Sequence, residues 1–132
     1  MIEVAALGVI VLAATYLLAL GTLALILPAR VRTFLLAHAS TPFLHGLELA
    51  LRLLVGVALL ARAPSLPWPP VFARAGWLLV LTTGVLALVP WRWHQRFASR
   101  TVPVALRALP LIGISAALMG AGLLYAALFW RT

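Results

Sequence analysis

At 132 residues, with 65% hydrophobic side chains, 9% charged ones and a mean hydropathy of +1.16, the chain is far too apolar for a soluble domain, where about a quarter of residues are charged. That excludes a soluble enzyme and leaves room for one transmembrane domain, residues 1–132, without an added catalytic module. The formal charge of +8 rests on ten arginines, since lysine, aspartate and asparagine are absent, and the lack of cysteine removes disulfides, thiolate metal centres and dithiol redox chemistry.

Four apolar stretches, residues 2–27, 43–63, 73–89 and 111–130, reach or approach the ~20 residues that cross a hydrocarbon core. Lipid cannot satisfy open backbone amides, and the alternation of a barrel strand is missing, so each stretch is predicted as a helix. The predicted fold is an all-α, integral membrane four-helix bundle. The first stretch carries Glu3 instead of a basic leader and is much longer than the ~7–15 residues of a signal core, so it is read as a retained span. Ala37, His38 and Ala39 resemble a cleavage triplet but lie too far downstream.

Arg30 and Arg32 follow the first stretch, and Arg92, Arg96, Arg100 and Arg107 follow the third. Arg62, Arg74 and Arg131 belong to the other side. The positive-inside rule then puts the first and third loops in the cytoplasm and both termini outside it. In the second loop Pro64, Pro67, Pro69 and Pro70 surround Trp68, which reads as a stiff, non-helical interfacial cap.

The third loop, residues 91–110, spaces Arg92, Arg96 and Arg100 along one helical face with Trp93 and Phe97 off it, an amphipathic interfacial segment that Pro103 is predicted to end. Arginines that flank apolar stretches point to anionic lipid headgroups as partners, at about 1 kcal/mol each, and not to nucleic acid. Residues 21–30 and 84–92 share a Gly, Leu-Ala-Leu, Pro, Arg pattern. It fits either a duplicated helix pair or the self-similarity of Leu/Ala-rich text.

The second stretch holds the residues that point to chemistry. His45, Glu48 and Arg52 fall at i, i+3 and i+7, one stripe of one helix, and such groups face protein. A rise of ~1.5 Å per residue puts Glu48 roughly 8 Å into the membrane and Arg52 near its centre. One reading is a proton-binding carboxylate with His45 as a relay. The simpler one is a structural Glu48 and Arg52 pair, because a neighbouring guanidinium stabilises the charged carboxylate. Thr82, Thr83, Thr15, Tyr16 and Ser115 match this depth and could line a polar core, or bond back to their own helices.

His38, His45 and His94 all belong to the cytoplasmic side. A metal site from His45, Glu48 and His94 competes with ordinary interfacial placement, which is preferred because His94 falls past the end of the third stretch. Bis-histidine haem lacks histidines at matched depth on facing spans. The fourth stretch carries small pairs at four-residue spacing: Gly113 with Ala117, Ala116 with Gly120, Ala117 with Ala121 and Gly122 with Ala126. These suit internal packing first and a partner helix second. With no phosphate loop, nucleophile elbow, zinc-protease motif or acid pair, no catalytic residue, metal ligand or cofactor is assigned.

Four spans in about this length, with the acidic residue of the second helix in the Gly-Leu-Glu-Leu-Ala-Leu-Arg-Leu-Leu-Val-Gly context of residues 46–56, resemble the DoxX-like group of small bacterial membrane proteins. The resemblance implies a four-helix fold in a bacterial inner membrane and carries no catalytic residue. Three functions follow in order of preference. The first is a non-enzymatic subunit, assembly factor or lipid-contacting module, as a homo-oligomer or with a partner membrane protein. The second is a proton-coupled small-molecule transporter using Glu48. The third is an enzyme acting on a lipid or quinone through His45 and Glu48, which lacks a nucleophile.

Overall fold

The computed structural model describes residues 1–37 and 40–130. Six helices follow one another: α1 Ile2–Ile26, α2 Pro28–Leu36, α3 Pro42–Arg62, α4 Pro69–Leu88, α5 Trp91–Ala105 and α6 Leu109–Leu128. Short 3₁₀ turns at Ala63–Ser65 and Leu106–Ala108 extend α3 and join α5 to α6. No strand occurs among the described residues. Four helical stretches, built on α1, α3, α4 and α6, are long and apolar enough to cross a membrane, and the protein is an all-α bundle.

Prolines set the boundaries, and three of them depart from the sequence expectation. Pro69 and Pro70 open α4 instead of building the preceding turn, because first-turn amides have no helical partner to lose. The third span therefore begins at residue 69, not 73. Trp68, just before them, takes a left-handed conformation with φ 53°, uncommon for a bulky side chain. Pro103 does not end α5: the helix runs two residues past it, and the Leu106 amide still reaches the Val102 carbonyl. The first connection is itself helical, with Leu27 turning the chain out of α1 so that Pro28 starts α2.

The most extensive packing is between α1 and α6. A Cβ on Gly120 would lie 2.5 Å from the Leu18 nitrogen and 2.6 Å from the Ala14 oxygen, and Gly21 is pressed against Ala117 and Gly113. The small residues Gly113, Ala117 and Gly120 thus serve internal packing, whereas Gly122 faces open space. α3 meets α4 through Gly56 and Gly76, where a Cβ on Gly76 would sit 2.8 Å from the Gly56 oxygen.

Two apolar cores lie toward opposite ends. Near the N-terminus Ala6 and Ile10 of α1 bury against Ala58 and Leu59 of α3, with Phe72 and Leu79 of α4 and Leu123 of α6 around them. There Arg62 reaches Glu3 at 3.6 Å. At the other end Ala24, Val31, Leu106 and Leu109 gather α1, α2, the second 3₁₀ turn and α6, with Val102 of α5 packed on them. This brings the helices that carry Arg30, Arg32, Arg92, Arg96 and Arg100 to one end of the bundle.

Candidate functional site at the arginine-rich end

The stripe on α3 faces protein, and its partners come from α4 and α5. A helical side chain leans toward the N-terminus of its own helix, so Arg52 reaches back toward the arginine-rich end. There its Nη2 donates to Thr82 Oγ1 at 2.9 Å and its Nε to Thr83 Oγ1 at 3.4 Å. Both hydroxyls donate in turn to their own helix, Thr82 to Leu78 O at 2.6 Å and Thr83 to Leu79 O at 2.6 Å. The threonines therefore use donor and acceptor together, and they hold the guanidinium in place. Hydrogen bonds to a charged group contribute roughly 1.5–3 kcal/mol each, so this is the stronger link between α3 and α4 at this level.

The Glu48 and Arg52 pair is looser. Its closest atoms, Oε1 and Nη1, are 3.9 Å apart, past hydrogen-bond length. The other carboxylate oxygen, Oε2, faces His94 Nε2 at 3.8 Å. Pro90 caps α5 immediately after Val89 turns out of α4, and the first turn of α5 puts His94 beside Glu48 of α3. The two imidazoles of His45 and His94 then lie 4.6 Å apart, tilted by 40°. His45 is only 8% exposed, and its Nδ1 is buried with no hydrogen-bond partner in the protein. The ligand atoms of His45, Glu48 and His94 all fall within 4.8 Å of one another.

This cluster opens onto a cleft of about 320 Å³ in which Glu48 and His94 meet a largely apolar lining that includes Leu35 and Leu36 of α2 and Phe97 and Val102 of α5. The exposed Trp93, Arg96, Phe97 and Arg100 of α5 line a second groove. Arg92 is exposed as well. The aromatic residues expected off the arginine face thus share a groove with two of the arginines.

Of the residues singled out from the sequence, His45, Glu48, Arg52, Thr82 and Thr83 come together. Thr15, Tyr16 and Ser115 do not join them: all three are exposed, and Thr15 donates to Val11 O at 2.8 Å within its own helix. Depth along the axis matched Ser115 to Glu48 and put Thr15 and Tyr16 near the middle of their span, but the turn of the helix carries all three to outward faces. His38 lies outside the described residues. Sequence reasoning preferred an interfacial place for His94, and the short Val89 and Pro90 link was the signal that could have moved it next to α3. No protein-family model, curated protein or solved structure matches this chain.

Proposed function

We propose that this protein is a non-enzymatic, lipid-contacting module of a bacterial inner membrane, DoxX-like in architecture, with the helices α2 and α5 on the cytoplasmic face and both termini outside. The observation that carries the reading is the surface of α5. Trp93, Phe97, Arg96 and Arg100 are all exposed and line one groove at the end where α2 adds Arg30 and Arg32. Indole and phenyl rings favour the headgroup level, and guanidinium forks favour phosphate. The outward faces of the spans, with Leu12, Leu51, Val85 and Leu118 exposed, supply the apolar girdle below. The excess of arginine at this end supports the orientation.

The test is lipid selection by the intact protein. Reconstituted in mixed phosphatidylcholine and phosphatidylglycerol nanodiscs and analysed by native mass spectrometry, it should retain the anionic lipid. Replacing Arg92, Arg96 and Arg100 together by Gln should remove about 1 kcal/mol of that preference per arginine. Equal retention of both lipids by the wild type would refute the reading. A second reading, proton-coupled transport, draws on Glu48 lining a cleft beside His94. It requires proton entry into proteoliposomes that is lost in Glu48→Gln.

A further inference from the structure

We infer that His45, Glu48 and His94 form a binding site for one first-row transition metal ion of the Zn²⁺ or Fe²⁺ class, with at least one coordination position open to the cleft. The inference stands apart from the lipid-contacting role, which uses the outer surface of α5.

Two imidazoles and one carboxylate are the donor set that borderline metals prefer, whereas Mg²⁺ and Ca²⁺ take oxygen. The ligand atoms already converge to within 4.8 Å, and Glu48 Oε2 and His94 Nε2 to 3.8 Å. Around an ion with bonds of about 2 Å, ligand atoms sit roughly 3.3 Å apart, so the side chains need to close by about 0.5 to 1.5 Å.

His45 adds an independent reason. The residue is more than nine-tenths buried, and its buried Nδ1 has no partner in the protein. An unsatisfied buried polar atom is costly, and metal ligation through Nδ1 would remove that cost. The carboxylate has the same unfinished character, since neither of its contacts, 3.8 Å to His94 and 3.9 Å to Arg52, is of hydrogen-bond length.

Arg52 is the adverse charge, and its placement limits the conflict. Thr82 and Thr83 hold it on the Oε1 side, which leaves Oε2 toward His94. Three protein ligands leave a tetrahedral ion one place short. Because Glu48 and His94 line the cleft, that place would face it. With two neutral imidazoles, one carboxylate and an adjacent guanidinium, a bound divalent ion leaves net positive charge, so an anionic ligand from the cleft side would be favoured there.

The experiment uses the whole chain without a polyhistidine tag, purified in detergent, treated with chelator and titrated with Co²⁺ and Zn²⁺. We expect one equivalent bound per chain, the visible absorption of low-symmetry Co²⁺ displaced by Zn²⁺, and affinity reduced about tenfold or more in Glu48→Gln and His94→Ala. His38→Ala should bind as the wild type does. X-ray absorption of the Zn²⁺-loaded wild type reads the ligands without any substitution and should show two imidazoles. Absence of stoichiometric binding by the folded wild type overturns the site. So does an all-oxygen shell, or binding that survives in a folded His94→Ala.

Discussion

The α1 and α6 seam and the α3 and α4 seam use glycine in the same way but differ in what else they contain. Along α1 and α6, Gly21, Gly113 and Gly120 bring backbones into contact, and no side-chain hydrogen bond crosses between the helices among the described residues. Along α3 and α4, Gly56 and Gly76 do this at one level only. Nearer the arginine-rich end the link passes to Arg52, Thr82 and Thr83, and α5 adds His94. One seam is therefore scaffold, and the other keeps a polar site beside a cleft. In lipid, where apolar burial drives helix association weakly, close packing suffices for the first, while a charged side chain in the second must find partners.

The two largest effects, similar in size, are expected in the scaffold and at Arg52. Gly120→Ala drives a methyl into the Ala14 and Leu18 backbone and should cost about 1–3 kcal/mol of stability, as overpacking does. Gly122→Ala, with nothing within 4 Å of the new Cβ, should be near neutral. Thermal unfolding in detergent compares the two, and equal behaviour would remove the distinction between the faces of α6. Arg52→Gln is likewise expected to cost roughly 1–3 kcal/mol by leaving its polar partners short of a donor. Thr82→Ala should follow by the same measurement, at the lower end of the roughly 1.5–3 kcal/mol of a hydrogen bond to a charged group, since Thr83 still holds Arg52. The smallest effect belongs to Glu3→Gln: its carboxylate is 74% exposed and 3.6 Å from Arg62, so the loss should stay below about 1 kcal/mol and shrink further with added salt.

Hydropathy made the four spans legible to within a few residues, because lipid leaves helix as the one economical state for such text. The α3 stripe was legible for a similar reason, since three polar side chains at helical spacing in an apolar segment have one face to share. What the sequence hid was set by angles between elements. Thr15, Tyr16 and Ser115 had the right depth and the wrong azimuth, and azimuth depends on how α1 and α6 settle on their glycines. His94 was placed by the direction in which α5 leaves Pro90, and Glu3 met Arg62 only through the pairing of α1 with α3. Proline was overread: Pro69 and Pro70 begin a helix, and Pro103, close to the end of α5, costs it little.

The central claim is that Arg52 belongs chiefly to the α4 threonines and so leaves Glu48 facing His45, His94 and the cleft. Two double-mutant cycles on detergent-solubilised protein test it, one pairing Arg52→Gln with Thr82→Ala and the other pairing Arg52→Gln with Glu48→Gln. We expect a clear coupling in the first cycle and a smaller one in the second, in keeping with contacts of 2.9 and 3.9 Å. A double variant of Glu48 and Arg52 that recovers the full stability lost by either alone, with no coupling between Arg52 and Thr82, would contradict it. Glu48 would then be a structural counter-ion instead of a ligand-facing group.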